Sequence, residues 1–135
     1  MQKKTETSLT FKKFARTAHT YKWLQCNGTR LHVAIADTAE ARLRGLSGIG
    51  NLPENEGMLF DFGNDQHLSF WMKGCLQDLS IAFVTKNGII ADIQEMSATS
   101  PTQLHHSPIP VKYALEVNPG FFARHNIAVG DKISI

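Results

Sequence analysis

Two Asn-Gly dipeptides, each flanked by short apolar runs, constrain the fold of this 135-residue chain more than any other feature. Asn27-Gly28 lies between KWLQC and RLHVAIA, and Asn87-Gly88 lies between AFVTK and IIADI. Asn-Gly readily adopts the positive φ angles of a type I′ turn, which joins two antiparallel strands. After the first dipeptide, Leu31, Val33 and Ile35 alternate with polar or small residues, which is the period of a half-buried strand. Both segments are therefore predicted to be β-hairpins.

The rest of the chain predicts further short strands and two short helices. Asp37-Thr38 can cap a helix that ends at Gly45, and Asn118-Pro119-Gly120 can open a second one. GMLFDF and HLSFWM are predicted to be aromatic strands joined by a turn at residues 63–65, while KYALEV and GDKISI form later strands. About eight or nine short strands with little helix favour a mainly β fold, an antiparallel sandwich or barrel. Residues 96–110 contain three prolines and no periodicity, and loops of this length are often functional.

Length and charge indicate one domain with a basic arm. Residues 1–30 hold seven of the fourteen Lys and Arg residues and only one acidic residue. This part therefore has a net charge of +6, and the rest of the chain has a net charge of −4. We expect residues 1–20 to be a flexible basic arm and residues 21–135 to be a single β domain. An adaptor role for the arm is one functional hypothesis, although nucleic-acid binding is disfavoured because aromatic residues do not alternate regularly with the lysines.

The same sequence predicts a compartment and an assembly state. No run of about eighteen apolar residues is present, so no transmembrane helix is expected, and the N-terminus lacks the apolar stretch of a signal peptide. Cys26 and Cys75 show no CxxC spacing and suit free thiols in a reducing compartment. The cytoplasm is the expected location, with the periplasm as the alternative if an export signal precedes this sequence. A monomer or weak homodimer is expected.

Five segments resemble, in order, the motifs of one known family. They are ADTAEARLRGL (36–46), LPENEGMLFDF (52–62), FWMK (70–73), YALEV with Gly120 (113–120) and VGDKISI (129–135). On these motifs the chain resembles the domain of unknown function 192 family, an uncharacterised bacterial and archaeal family, over about residues 30–135. The resemblance implies a compact antiparallel β structure of jelly-roll type with short helices on the sheets. It implies no activity, and many members are exported or lipid-anchored.

The chain departs from that family pattern directly after FWMK. Members usually continue with Asn-Thr and then, a few residues later, Pro-Leu-Asp. Here those places hold Gly74, Cys75, Asp78, Leu79 and Ser80. If the missing Asn and Asp line a polar site in other members, that site is rebuilt or lost in this chain.

One constellation of aromatic and charged residues is the candidate site. Its members are Arg44, Met58, Phe60, Trp71, Lys73 and Glu116. Trp71 and Lys73 share one face of an extended strand while Met72 points to the other, and a tryptophan beside a cation can hold a planar ligand or a sugar. Arg44 or Lys73 can pair with a ligand carboxylate. The structural alternative is that Trp71, Met58 and Phe60 fill the core and that Arg44 and Glu116 form an ion pair.

Three functions remain open at this point. A non-catalytic module that binds a small ligand, glycan or protein is favoured, because no catalytic spacing is recognisable. A hydrolase-type enzyme would use Arg44 and Glu116 with Cys75 or a loop histidine as nucleophile or base, and the adaptor would act through the arm. No cofactor is predicted: no glycine lies in a phosphate-binding motif, and no His or Cys cluster has metal-ligand spacing. His105-His106 with His67 or His125 is the nearest approach to a metal set.

Overall fold

The computed structural model describes residues 20–135, and in this part eight strands and two short helices follow one another. The strands are β1 (Tyr21–Cys26), β2 (Thr29–Ala36), β3 (Glu56–Gln66), β4 (Ser69–Phe70), β5 (Leu79–Val84), β6 (Ile90–Met96), β7 (His105–His106) and β8 (Val111–Val117), and the helices are α1 (Ala39–Arg44) and α2 (Phe121–Arg124). The predicted arm lies outside the described residues except for Thr20, whose carbonyl oxygen accepts a hydrogen bond from Ile35 N.

Six strands form one sheet in the order β1-β2-β3-β8-β5-β6, and β4 pairs with β7 in a small second sheet. The prediction of a mainly β fold with two short helices is confirmed. Four of the five neighbouring pairs in the large sheet are antiparallel, whereas β2 and β3 are parallel. A parallel pair needs a long crossover between its strands, and α1 with the loop after it supplies that crossover. The sheet is therefore mixed rather than purely antiparallel, and it is not closed into a barrel.

Both faces of the sheet are buried in its centre. β5 is buried at every position, and β8 at all but Lys112, which matches their nearly continuous apolar sequences. One face carries Met58, Ile81 and Phe83 and is covered by α1 and the loops around it. The opposite face packs against α2 and the C-terminal residues, including Phe121 and Ile133. Alternation along each strand assigns neighbouring residues to opposite cores.

The two Asn-Gly turns differ in structure. Asn27 and Gly28 have φ angles of 50° and 80°, as a type I′ turn requires, so the first hairpin is confirmed. In the second hairpin Gly88 alone has a positive φ, 85°, and its N–H donates to the Thr85 carbonyl at 2.9 Å. The prediction of a second type I′ turn is wrong, although β5 and β6 do pair as a hairpin. The longer turn is accommodated by a register shift at Phe83/Val84.

The segment 63–65 does not join two paired strands. It lies inside β3, where the register with β8 shifts between Asp61 and Gln66. The Asp61 carboxylate accepts a hydrogen bond from Gly63 N at 2.9 Å, and Gly63 has a φ of 85°, so the chain bulges and then continues in the same direction. The residues HLSFWM contribute only the two-residue β4, whose partner β7 lies in the proline-containing loop.

The C-terminal residues link the two ends of the large sheet. Ser134 forms an isolated bridge with Gln25 of β1, and Lys132 forms one with Ile89, next to β6. The segment GDKISI therefore does not form the predicted closing strand. It makes two isolated bridges, one to each edge of the large sheet. Ile133 is 2% exposed between them, and Ile135 packs against the same core. The apolar face expected for this segment is present.

Candidate functional site

A cleft of about 540 Å³ opens between α1 with its following loop and the residues after β4. Its walls and base come from β3, β4, β8 and α1, which lie far apart in sequence. The side chains deepest in it are nearly inaccessible, with Phe60 at 1% and Glu116 at 4% exposure. Trp71, 48% exposed, and Leu104, 51% exposed, lie at its mouth. The cleft thus passes from solvent to the core of the domain.

Glu116 brings a carboxyl group to the base of this cleft. It lies on β8 between Met58 of β3 and Ile81 of β5, its direct neighbours across the strands, and both are fully buried. Within the described residues no hydrogen bond or ion pair to this carboxyl accompanies its burial. Desolvation raises the pKa of Glu116 to about 8, so the group is largely protonated at neutral pH.

Trp71 and Lys73 stand together at the mouth of the cleft. Both side chains are exposed, and the Lys73 Nζ lies 5.1 Å from the centroid of the Trp71 ring. Met72 between them is fully buried. The alternation predicted from the sequence is present, although these residues follow β4 rather than forming part of it. An exposed indole with a cation above it is a surface on which a planar group can pack.

Helix α1 places two arginines beside the cleft. The helix begins after Thr38, whose hydroxyl accepts a hydrogen bond from Ala41 N at 3.1 Å, so the cap is Thr38 rather than Asp37. Arg42 donates from Nη1 to the Asp61 carbonyl at 3.0 Å and lies 5.1 Å from the Phe62 ring centroid. Arg44, two residues further along the helix, is exposed. Both arginines are among the residues that line the cleft, and each guanidinium has more N–H donors than the hydrogen bonds it makes within residues 20–135.

An aromatic cluster forms the inner wall. Phe60 and Phe70 meet edge to face with centroids 4.9 Å apart, and Phe62 contacts Phe70 at 6.1 Å. Gly45 ends α1 with a φ of 51°, and a Cβ at this position would lie 3.3 Å from the Phe60 ring. Glycine is therefore needed both for the end of the helix and for the close approach of the helix to the aromatic wall.

Five of the six candidate residues line this one cleft: Arg44, Phe60, Trp71, Lys73 and Glu116. The sixth, Met58, is fully buried beside Glu116 and belongs to the core. The alternative of core packing holds for Met58 and for Phe60, which is 1% exposed, but not for the half-exposed Trp71. No Arg44–Glu116 ion pair occurs among the described residues, because Glu116 is enclosed while Arg44 is exposed to solvent.

Several cleft residues were not predicted. Phe62 lies two residues after Phe60 and therefore on the same face of β3, so strand alternation could have indicated it. Arg42 is separated from Arg44 by one residue on a six-residue helix, where the sequence does not say which side faces the site. Leu104 lies in the loop of residues 96–110, and only the length and proline content of that loop marked it.

Cys75 lines the cleft but does not have the properties of a nucleophile. Burial first, and the charge of Glu116 second, raise the pKa of its thiol to about 11. The reactive form of cysteine is the thiolate, which is scarce at neutral pH when the pKa is this high. In the described part of the chain, no histidine lines the cleft.

The histidines considered as metal ligands in the sequence make separate contacts in the structure. His106 shares a hydrogen bond of 2.7 Å with Ser69, and His125 contacts Glu54 at 3.0 Å. His105 is buried, with no hydrogen-bond partner for Nε2, and burial lowers its pKa. In residues 20–135 no three His, Cys, Asp or Glu side chains come together as a metal site would require.

The departures from the family motif fall on opposite faces of the sheet. Cys75 lies in the cleft, whereas Ser80 is next to Ile81 on β5 and points away from Glu116. The Ser80 hydroxyl donates to Glu95 Oε1 at 2.5 Å and accepts a hydrogen bond from Gly120 N at 2.8 Å. Position 75 therefore belongs to the cleft, whereas position 80 belongs to the contact between β5, β6 and the start of α2.

None of the helices in the described part of the chain has the length and apolar character needed to cross a bilayer.

Comparisons with known proteins give a family for the chain and solved structures with a similar fold. A solved structure from Sinorhizobium meliloti, of a protein proposed to be a transcription regulator, is 28% identical and covers 87% of this chain and 95% of its own, with a TM-score of 0.82. A protein of unknown function from Novosphingobium aromaticivorans is 26% identical with 85% of each chain covered and a TM-score of 0.78. Among curated proteins no match was found. The family model DUF192, described as uncharacterized ACR, matches residues 22–135. The chain therefore belongs to the DUF192 family.

Proposed function

We propose that this protein is a small-molecule-binding module that holds its ligand in the cleft beside α1. The observation that carries the proposal is the Glu116 carboxyl, 4% exposed at the base of the cleft and without a protein partner among the described residues. Polar groups in buried surroundings are nearly always hydrogen-bonded, so a carboxyl group that lies at the base of a cleft without a protein partner is open to a partner from outside the chain. A ligand that reaches the base of the cleft can supply the missing partner.

The size and lining of the cleft support a ligand of modest size. Pockets that bind small molecules occupy about 300–1,000 Å³, are mainly apolar and contain a few convergent polar groups. This cleft of about 540 Å³ lies within that range. Its inner wall is aromatic, and its polar groups are a carboxyl at the base and cations at the mouth. A glycan would meet fewer hydrogen-bonding groups here than its hydroxyls need.

Binding is favoured over catalysis because of the state of Cys75. Its thiol remains protonated at neutral pH, which argues against the hydrolase hypothesis in the form that uses this nucleophile. The raised pKa of Glu116 is a property that general acids also have. An enzyme that uses Glu116 as an acid is therefore the second candidate, and it predicts that a bound compound is converted rather than released unchanged.

DNA binding by the described residues has less support. Residues 20–135 contain nine Lys or Arg and eleven Asp or Glu residues, a balance of −2. Contact with DNA phosphates depends on clustered positive charge. The similarity to a protein proposed to be a transcription regulator is compatible with ligand sensing, which is the part of such a role that this cleft could serve.

Ligand-observed NMR with a fragment library tests the proposal. Acids, bases and neutral fragments would be equally represented, so that no ligand class is assumed. Two tryptophans provide a matched pair of variants: Trp71 and Trp23 are each 48% exposed, but only Trp71 lines the cleft. Trp23 instead lies on β1, with the Arg30 guanidinium 4.2 Å from its ring centroid.

We expect fragments to bind the wild-type protein and W23A and to lose most of their signal with W71A. Circular dichroism would establish that both variants are folded. An absence of bound fragments, or equal binding to W71A and the wild-type protein, would overturn the proposal. Mass spectrometry of the incubated fragments would detect any conversion and so identify the enzyme alternative.

A further inference from the structure

We propose that the ligand is an anion with a planar apolar body whose inner end accepts a hydrogen bond from the Glu116 carboxyl. This inference rests on the proposed function, because it names the chemical class of ligand for the same cleft. Three features carry it: the charges at the mouth, the apolar walls, and the carboxyl group at the base.

The charge balance of the cleft favours an anion. Arg42, Arg44 and Lys73 line it, and of the lining residues within 20–135 Glu116 alone is acidic. Since Glu116 is mostly protonated near pH 7, the lining then carries three positive charges and no compensating negative charge. Guanidinium and ammonium groups at one opening form charge-assisted hydrogen bonds with a carboxylate or phosphate.

The apolar body is inferred from what the cleft leaves exposed. Leu43 is 85% exposed beside the two arginines, and Trp71 and Leu104 are about half exposed across the opening. Deeper in the cleft, beyond these side chains, lies the edge-to-face pair of Phe60 and Phe70. A flat apolar group lying between the mouth and this pair would cover surface that now contacts water, at a gain proportional to its area.

The inner end is inferred from the surroundings of Glu116. Its neighbours on β3 and β5, Met58 and Ile81, offer no hydrogen bond. Among the described residues, the charged or titratable ones that line the cleft with it are Arg42 and Arg44 on α1 and Lys73 and Cys75 after β4. On β3, Glu56 lies two residues before Met58. A protonated carboxyl donates one O–H, which a ketone, hydroxyl or ring nitrogen can accept.

A ligand ammonium at the base is the competing arrangement. It would have to pass three cations at the mouth and lose its hydration in an apolar environment, which is costly even when a carboxylate is present. An acceptor on an anionic molecule requires neither step. The two arrangements also predict opposite pH dependence, since an acceptor needs protonated Glu116 and an ammonium needs the ionised form.

Isothermal titration calorimetry with three matched probes separates these contributions. 6-Acetyl-2-naphthoate carries an anion, a planar body and an inner acceptor. 6-Isopropyl-2-naphthoate lacks the acceptor, and 6-acetyl-2-naphthamide lacks the charge. Near pH 7 we expect the acetyl naphthoate to bind roughly three- to tenfold more tightly than the isopropyl compound, and at least roughly tenfold more tightly than the amide.

Variants assign each preference to its side chain. E116M keeps the volume without a donor and should abolish the preference for the acetyl group, while E116Q keeps an N–H donor and should retain it. R44M should reduce the preference for the naphthoate over the naphthamide. In the wild-type protein, the acetyl preference should shrink as the pH is raised above about 8, where Glu116 ionises.

Three results would overturn the inference while leaving the proposed function intact: equal binding of all three probes, an acetyl preference that persists in E116M, or tighter binding of 2-(aminomethyl)naphthalene than of the naphthoates. If none of these compounds binds but other fragments do so in a Trp71-dependent manner, the ligand class is again wrong and the cleft remains a binding site. If no fragment of any class binds, both proposals fail.

Discussion

Glu116 is the residue whose environment differs most from that of an ordinary surface carboxyl. It is held at the base of the cleft by a β8 backbone that pairs on both sides, with β3 and β5. The backbone of a strand that is paired on both sides cannot move without breaking hydrogen bonds of the sheet, so the Glu116 Cα is held in place at the base of the cleft. Its high pKa is therefore a direct consequence of its position in the fold.

The pH dependence of stability tests this account of Glu116. Its pKa is about 8 in the folded protein and 4.5 for an ordinary glutamate, so between these values the folded state binds more protons than the unfolded state. The free energy of unfolding should therefore fall as the pH rises across this window, by up to about 1.4 kcal/mol per pH unit, and level off above it. E116Q cannot titrate and should lack this decline.

Urea denaturation of both proteins between pH 5 and pH 9 provides the measurement. The informative quantity is the difference between the wild type and E116Q at each pH, because all other titrating groups contribute equally to both. Parallel stability curves would show that Glu116 is ionised in the folded protein at neutral pH.

The state of Cys75 can be measured by alkylation. At a thiol pKa of about 11 the thiolate fraction near pH 7.5 is roughly a hundredfold smaller than for a free cysteine. Iodoacetamide should therefore modify Cys75 at least about a hundredfold more slowly in the folded protein than in the same protein unfolded in urea. Peptide mapping distinguishes Cys75 from Cys26. Rapid labelling of folded Cys75 would restore the nucleophile hypothesis.

At the scale of the elements, the contact between β3 and β8 positions Glu116. A Cβ at Gly57 would overlap the Glu116 carbonyl oxygen and lie 2.9 Å from Val117 Cγ1. G57A should push the two strands apart and lower the free energy of unfolding by about 1–3 kcal/mol or more. It should also weaken ligand binding, because it displaces the backbone that carries the carboxyl group.

G50A is the matched control for this prediction. Gly50 has no positive φ, and a Cβ there would meet Leu76 at 3.8 Å, an ordinary van der Waals contact. In chemical denaturation, the free energy of unfolding of G50A should be close to that of the wild type, and that of G57A should be well below it. Equal midpoints for the two variants would mean that β3 and β8 do not depend on glycine for their approach.

Local signals in the sequence predicted where strands and helices lie better than they predicted which strands pair. Alternating apolar residues identified β2, the Asn27-Gly28 turn indicated β1 before it, and an apolar run indicated β8. Thr38 and Gly45 marked the ends of α1. All of these features depend on neighbours within a few residues. The pairing of β4 with β7 was missed, since two-residue strands carry no periodic pattern. The parallel β2–β3 pair was missed because the direction of a strand depends on the path of the whole crossover.

The candidate site was predictable in part for the same reason. Trp71 and Lys73 were placed on one face by simple alternation, which an extended segment obeys whether or not it pairs. Glu116 was singled out, but its lack of a partner was not foreseen: an ion pair with Arg44 was the alternative considered. Whether two charged residues come into contact depends on how distant elements pack, here α1 over β8. A local sequence pattern does not predict that packing.

For the whole molecule, the C-terminal residues decide how the open sheet is held together. Ile133 is 2% exposed in the core formed with α2, and its flanking residues bridge to β1 and to Ile89 next to β6. I133A should lower the free energy of unfolding by about 2–5 kcal/mol, the range for a buried isoleucine. I135A, at a less buried position, should cost clearly less. Similar losses in the two variants by denaturant titration would contradict this role.

One face of the large sheet, together with α1 and the residues after β4, forms the proposed small-ligand site. The chain has two tryptophans, so a nitrogen-15 correlation spectrum should contain two indole N–H signals that act as internal reporters. Trp71 lines the cleft, whereas Trp23 lies on the edge strand β1.

The most direct measurement is this spectrum during titration with 6-acetyl-2-naphthoate. The account predicts that the Trp71 indole signal and the amides of residues 42–47, 70–75 and 116 shift with one common saturation curve while the Trp23 signal stays in place. A shift centred on Trp23, or an unchanged spectrum with this compound and with every fragment of the library, would contradict it.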